Sequence, residues 1–340
     1  MFLLEEFKDR AKRNPKAIVF PEGEDERILK AAVKAVREGI AFPYLLGDKD
    51  KIALKAKDLN LSLDGVKIKD PKVECKNEKY INFYHTLRKD SFFSPKMAEA
   101  LLRKPLNFGA LMVRCGDAAG MIAGAANPTS SVLKSSMLII GLQKGIKIPS
   151  SFFIMVTKKT EVGEKGALVF ADAAVNPDPT SEELVDIALT TANNVKKLLG
   201  WQPRVAFLSF STKKSASHPL VDKVIRAAEL ARQRAPYLLI DGDLQADAAL
   251  IPEVAKRKVK ESKVAGRANI LIFPNLDAAN IAYKLVQYLA DATSYGPILQ
   301  GFNLPVNDLS RGAKVEDILG LTAITVVRAQ EDKNYENTGN

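Results

Sequence analysis

Ala17-Ile-Val-Phe-Pro-Glu-Gly-Glu-Asp-Glu-Arg-Ile-Leu-Lys-Ala-Ala-Val-Lys-Ala-Val-Arg-Glu-Gly-Ile-Ala-Phe-Pro-Tyr-Leu-Leu46 changes its hydrophobic period twice, and that change decides the fold. Ala17–Phe20 is a short apolar run, read as a buried strand and closed by Pro21-Glu-Gly23. From Glu24 to Glu38 the apolar residues fall at positions 28, 29, 32, 33 and 36, the spacing of one helix face. Gly39 stands where such a helix would stop. Phe42–Leu46 is a second short apolar run. Strand, helix and strand at this spacing make a βαβ unit, and two strands joined by a helical crossover lie parallel in one sheet.

The alternation continues along the chain. Apolar residues at 3, 4, 7 and 11 give a helix over Phe2–Asn14. Further strands are expected at Ala110–Val113, Ser151–Val156, Ala167–Phe170, Val205–Phe210, Tyr237–Ile240, Asn269–Phe273 and Ala323–Val327. Most are separated by helical segments. Thr180-Ser-Glu-Glu183 has the capping-box spacing, in which hydroxyl and carboxylate satisfy a helix's first free N–H groups, and that helix runs to Leu199 with Gly200 as its stop. The reading is an α/β protein with largely parallel sheets. A chain of 340 residues exceeds one ordinary core and divides into two domains. The boundary is expected at the turn-rich Lys144–Pro149, with the return crossing near Tyr295-Gly-Pro297. The tail from Glu331 to Asn340 is polar and expected to fray.

Composition narrows the class. The apolar share is 46% and the aromatic share 7%, as in a globular protein whose core is Leu, Ile, Val and Ala. No run approaches the ~20 apolar residues of a membrane span. The N-terminus turns acidic after three apolar residues and does not read as a secretory signal, so a cytoplasmic location is expected. Cys75 and Cys115, far apart in sequence, read as two free thiols. Fifty Lys and Arg against forty Asp and Glu leave a charge of +10. The basic residues are scattered, and clusters such as Lys256–Lys260 lack interleaved aromatics. The charge therefore fits an anionic small-molecule substrate better than nucleic acid.

Two stretches carry the chemistry. Gly296-Pro-Ile-Leu-Gln-Gly-Phe-Asn-Leu-Pro-Val-Asn-Asp-Leu-Ser-Arg-Gly312 is held out of regular structure by its glycines and prolines and reads as a loop. At its end a hydroxyl, a guanidinium and a glycine stand together at Ser310, Arg311 and Gly312, and Asp317 follows at the start of a helical pattern. A guanidinium fork suits a phosphate or an oxyanion. Composition alone equally allows a loop that caps the next helix, with Arg311 in a surface ion pair. The second stretch is Gly124-Ala-Ala-Asn-Pro-Thr-Ser-Ser-Val-Leu-Lys134. Hydroxyls and free N–H groups at a helix start form an anion site, the competing reading being ordinary capping by Ser130 or Ser131. Nucleotide-binding glycine motifs, zinc spacings and paired C-x-x-C are missing from the sequence, and His85 and His218 are its only histidines. Ser131-Val-Leu-Lys134 matches S-x-x-K without its partner motifs and is read as chance. Direct transfer is therefore favoured over an acyl-enzyme.

The stretch ending at Gly312 resembles the C-terminal signature of the phosphate acetyltransferase (phosphotransacetylase) family at every fixed position. The similarity extends through Phe20-Pro-Glu-Gly23, Gly116-Asp-Ala-Ala-Gly-Met121, Phe170-Ala-Asp-Ala-Ala-Val-Asn-Pro177, Leu208-Ser-Phe-Ser-Thr212 and Ile240-Asp-Gly-Asp-Leu-Gln245. It implies two α/β domains of the kind found in isocitrate and isopropylmalate dehydrogenases, with an interdomain active-site cleft. Residues 1–144 and 297–340 would form one domain and residues 145–296 the other. It implies reversible transfer of an acetyl group between coenzyme A and inorganic phosphate, with coenzyme A as substrate and no metal or prosthetic cofactor. Carried over residue by residue, Ser310, Arg311 and Asp317 become catalytic, Thr129, Ser130 and Lys134 bind phosphate or acyl phosphate, Asn307 binds substrate, and Arg88 binds coenzyme A. Lys134 departs from the family arginine and keeps the charge without the bidentate fork. A family cysteine aligns with Thr160. The resemblance further implies a homodimer, with no nucleic acid or membrane as partner. Other acyl chains, butyryl among them, and an inactive acetyl-CoA sensor are the alternatives.

One difficulty accompanies Asp317 as base. A thiol of pKa ~8.5 must lose its proton to a carboxylate whose ordinary value is ~3.9, an uphill step of ~6 kcal/mol. Burial of Asp317, or stabilisation of the thiolate by Arg311 and Lys134, would lessen it.

Overall fold

The computed structural model of the chain describes residues 2–88 and 94–331. Its first elements are α1 (Phe2–Arg13), β1 (Lys16–Phe20), α2 (Glu26–Arg37), β2 (Ala41–Leu46), α3 (Lys49–Asp58), β3 (Lys67–Lys69), α4 (Pro71–Glu74), α5 (Glu78–Arg88), α6 (Pro95–Leu102), α7 (Pro105–Arg114), β4 (Gly120–Ala123) and α8 (Thr129–Ile139). Next come β5 (Ser150–Val156), β6 (Ala167–Ala171), α9 (Ser181–Leu199), β7 (Arg204–Leu208), α10 (Pro219–Arg234), β8 (Leu239–Leu244), α11 (Ala246–Leu250), α12 (Pro252–Lys258), β9 (Ile270–Ile272), α13 (Leu276–Leu289) and β10 (Thr293–Gln300). β11 (Val306–Asp308) and α14 (Val315–Glu331) complete the described chain. Two compact units result, one of Met1–Gln143 with Phe302–Asn340 and one of Lys144–Gly301.

The first unit holds a five-stranded sheet in the order β11-β4-β1-β2-β3, parallel throughout. β1, α2 and β2 form the expected βαβ unit, with Lys16 paired to Ala41 and Phe20 to Leu45. α2 opens on Asp25, whose side chain accepts from the Arg27 N–H, and buries Ile28, Leu29, Ala32 and Val33. Ile18, Val19 and Phe20 are fully buried, as a central strand covered on both faces requires.

Two expected strands are helices. Ala110–Val113 lies inside α7, where every residue from Leu106 to Val113 is buried. Ala323–Val327 lies inside α14, where burial is unbroken from Ile318 to Val327. A helix surrounded by protein loses its polar face and with it the 3.6-residue period, so a short apolar run reads the same in either state.

The second unit holds a six-stranded sheet in the order β10-β5-β6-β9-β7-β8. β6, β9, β7 and β8 run parallel, while β5 pairs antiparallel with both of its neighbours. Phe153, Phe170, Leu208, Leu244 and Phe273 belong to its core. The capping box of α9 is formed by Thr180 and Glu183, and Gly200 ends the helix in the left-handed conformation at φ 69°. The segment expected as one loop from Gly296 to Gly312 contains the end of β10 and all of β11. β10 is an edge strand with a register shift between Tyr295 and Ile298, and such an irregularity tolerates Pro297. The expected return near Tyr295–Pro297 thus falls within a strand of the second unit. Residues 332–340, most of the tail expected to fray, lie outside the described residues.

Candidate active site

The first sheet changes winding direction between β1 and β4: the chain moves from β1 to β2 and β3 on one side, and from β4 to β11 on the other. Ligands of open α/β sheets bind outside the carboxyl ends of strands at such a switch point. Three strand exits meet there. β1 leads into Pro21-Glu-Gly23, β4 into Gly124–Pro128 and α8, and β11 into Ser310–Lys314 and α14. The Leu309 N–H donates to the Ala123 carbonyl at 2.7 Å, so the two stretches singled out in sequence leave the sheet side by side. Gly124 sits at φ 107°, and a Cβ there would lie 2.2 Å from Asp308 Oδ1.

Glu22 ties the first exit to the second. Its buried carboxylate accepts from the N–H groups of Ala125 (2.8 Å), Ala126 (2.9 Å) and Asn127 (2.7 Å), and from Asn127 Nδ2 (2.7 Å). These loop donors, read in sequence as free for an external anion, are used internally. Nor do Ser130 and Ser131 cap α8. The N-cap is Pro128, with no side-chain cap bond, and the helix begins at Thr129.

Arg27 joins all three exits. It donates to the carbonyls of Arg311 (2.6 Å), Ala313 (3.1 Å) and Ala125 (3.0 Å), and pairs with both oxygens of Asp25 (3.1 and 2.8 Å). Burial pulls Asp25 upward, but the Arg27 bonds outweigh it and hold this carboxyl below its ordinary value. In the turn so held, the Gly312 N–H points at Ser310 Oγ (3.4 Å), and the Ala313 N–H donates to the Ser310 carbonyl (2.9 Å). Ser310 and Arg311 are exposed, as is Lys134 on α8. Among the described residues neither Arg311 nor Lys134 has an ion-pair partner.

β11 divides its side chains between two faces, as a strand must. Asp308 faces α8, where Thr129 donates to its Oδ2 at 2.5 Å. Its Oδ1 has no partner among the described residues, and the residue is 1% exposed. Burial, helped by the nearby Glu22 carboxylate, pushes this carboxyl up to about 6 against the Thr129 bond and a weaker pull from the Leu309 N–H. Asn307 faces the other way. It is fully buried, donates to Thr325 Oγ1 (2.7 Å) and accepts from Arg328 (3.2 Å). It fastens β11 to α14 and is not open to a substrate, contrary to the sequence reading.

Asp317 is exposed, and its Oδ2 accepts the Lys314 N–H at 2.9 Å at the start of α14. Arg88 closes α5, and its side chain lies outside the described residues. α5 itself is anchored by Asp117, which accepts from Lys79 (2.5 Å) and Tyr80 (2.7 Å). Burial and the Asp117 charge push the Cys115 thiol up to about 11, and both cysteines are free.

Sequence reasoning missed Glu22, Arg27 and Asp308. Each lies in or beside a stretch that attracted notice for its glycines or hydroxyls. For Glu22 and Asp308 the usable signal was a charged residue within two positions of a strand end; Arg27, in the first turn of α2, carried no such signal.

An open α/β unit with hydroxyls, cations and an ionisable carboxyl at its switch point defines a protein that handles small anions. The family model described as Phosphate acetyl/butaryl transferase matches residues 2–326. A phosphate acetyltransferase of Clostridium acetobutylicum is 47% identical over 97% of this chain and 99% of its own length. One from Thermoanaerobacterium thermosaccharolyticum is 48% identical over 97% and 100%. A phosphotransacetylase structure from Streptococcus pyogenes overlays with a TM-score of 0.89 at 38% identity, covering 97% of this chain and 98% of that one. The chain belongs to the phosphate acetyl/butyryl transferase family, a family of acyltransferases.

Proposed function

We infer that the protein is a phosphate acetyltransferase that moves an acetyl group reversibly between coenzyme A and inorganic phosphate. Full-length relatives of that name support the reading. The observation that carries it is the Arg27 clamp: one guanidinium binds the Ser310–Ala313 turn and the loop before Thr129 at once. Side chains from both stretches can then serve one small anion.

Toward acetyl-CoA, the thiol gives its proton to Asp317 and the sulfur attacks the acyl carbon of acetyl phosphate. The C–S bond forms, negative charge moves to the acyl oxygen, and the C–O bond to phosphate breaks as the carbonyl re-forms. Arg311 and Ser310 stabilise the oxyanion and the leaving phosphate, a role in which one lost donor costs about a hundred- to a thousand-fold. Thr129, Ser130 and Lys134 hold the phosphate, and Arg88 the coenzyme. The reaction as written uses no metal or prosthetic group, and coenzyme A enters as substrate.

A homodimer in the cytoplasm completes the reading. Ile281, Leu285, Tyr288 and Leu289 on α13 are each more than half exposed at helical spacing, an apolar face that a second copy would cover. Sedimentation at micromolar concentration tests this, and a monomer would reject it. The activity is tested by phosphate-dependent thiol release from acetyl-CoA, with butyryl-CoA as comparison. Asp317→Asn should lower turnover far more than it alters Michaelis constants, and near-normal turnover in that variant would remove Asp317 as base.

A further inference from the structure

We propose that the protonation of Asp308 sets whether the Thr129 hydroxyl accepts or donates a hydrogen bond in the phosphate subsite, so that phosphate binding is coupled to uptake of one proton. The inference rests on the reading of Thr129 as a phosphate ligand. A hydroxyl owns one hydrogen. While Thr129 donates it to Asp308 Oδ2, as the 2.5 Å contact requires of an ionised carboxylate, only lone pairs face the site. A phosphate dianion also offers only lone pairs, and the two repel. With a proton on Oδ2 the carboxyl becomes the donor to Thr129 Oγ1. The Thr129 hydrogen then turns outward to the phosphate.

The surroundings keep both states within reach. Glu22, from the turn after β1, receives four hydrogen bonds, whereas the more deeply buried Asp308 accepts one side-chain hydrogen bond, from Thr129, with a weaker pull from the Leu309 N–H, and leaves Oδ1 with no partner among the described residues. Of the elements against β11, β4 has no ionisable side chain, and α8 offers only the exposed Lys134. On α14, Arg328 is bound to Asn307 on the opposite face of the strand, Asp317 is held at the Lys314 N–H, and Glu316 pairs with Lys34. Glu22 is thus the charge that acts most directly on Asp308, and it favours the protonated form. The resulting value of about 6 puts the exchange just below neutrality.

The test measures KM for phosphate between pH 6 and 8 in the wild type, Asp308→Asn, Thr129→Val and the double variant. If only the protonated fraction binds, apparent affinity in the wild type weakens about tenfold per pH unit above the carboxyl's value, roughly fifty-fold across this range. Asp308→Asn is isosteric, and its amide can donate permanently to Thr129. It should abolish that slope beyond phosphate's own ionisation and lower KM at pH 8 by about tenfold or more. Thr129→Val should bind weakly at every pH, and Thr129→Ser should restore the slope. The proposal fails if Asp308→Asn keeps the wild-type slope. It also fails if the Asp308→Asn effect is undiminished in the Thr129→Val background, because the carboxylate then acts by charge alone. Calorimetry of inorganic phosphate in two buffers of different ionisation enthalpy counts the proton without catalysis. At pH 8 the wild type should take up about one proton more than Asp308→Asn. An inactive wild type with that difference would overturn acetyl transfer alone, an active one without it would overturn the proton coupling alone, and no phosphate binding would overturn both.

Discussion

Replacing Asp308 by Asn should stabilise the protein at neutral and alkaline pH, although the carboxyl is hydrogen-bonded and buried. Its folded-state value of about 6 lies above the ordinary 3.8, so the native state favours the protonated form. A gap of about two units corresponds to ~3 kcal/mol, because each unit is worth 1.36 kcal/mol. The direction follows from linkage. The group's favourable contribution is fully present below 3.8 and is lost as pH rises through 6, so an ionised Asp308 weighs against folding at pH 8. Because the residue is 1% exposed, solvent screening reduces the figure little. The variant removes the ionisation while keeping a partner for Thr129. Its advantage should be about 3 kcal/mol at pH 8 and fall to roughly half by pH 5. Hydrogen exchange at the Leu309 amide, bonded to Ala123, reads the opening of this unit, and urea unfolding followed over the same pH range gives a second measure. A variant less stable than the wild type at pH 8, or an advantage that does not shrink with acid, would refute the reasoning.

Other expectations concern the same three strand exits. Arg27→Lys keeps the charge but cannot serve three carbonyls and a carboxylate together, and misplacement of a reacting group by about 1 Å can cost a hundredfold. Turnover should fall about ten- to a hundredfold with smaller changes in KM, as steady-state kinetics will read, and a change within threefold would remove the clamp from the argument. Gly124→Ala would set a methyl group 2.2 Å from Asp308 Oδ1 at a φ of 107°, so urea unfolding should show a loss of more than ~3 kcal/mol or failure to fold. Lys134→Arg adds a bidentate fork and should lower KM for phosphate or acetyl phosphate severalfold. An unchanged KM for every anionic substrate would leave Lys134 on the surface without a role.

The elements most legible in the sequence were those with one face in water. α2 and α9 kept their period and their caps, and the βαβ reading from Ala17 to Leu46 gave the first parallel pair. α7 and α14 were illegible as helices because burial on all sides erased the period. β11 was hidden in a stretch whose glycines and prolines pointed to a loop, and three residues are too few to display alternation. The placement of Asn307 failed for the same reason. Without knowing that it sat in a strand, nothing indicated that Asn307 and Asp308 face opposite ways, one into α14 and the other toward Thr129.

That alternation changes how the site must hold an anion. A glycine-rich loop running into a helix ordinarily offers its N–H groups to the ligand, but here Glu22 takes the N–H groups of Ala125, Ala126 and Asn127. Those donors, with a carboxylate already among them, attract a second anion little. On the proposed reading, affinity then comes from side chains: the exposed Arg311 and Lys134, and hydroxyls whose hydrogens point outward. Thr129 meets that condition only when Asp308 does not claim its hydrogen. On the proposed reading, the loop made rigid by one buried carboxylate depends on the protonation of the other, and the unequal hydrogen bonding of Glu22 and Asp308, four bonds against one from a side chain, separates the two tasks.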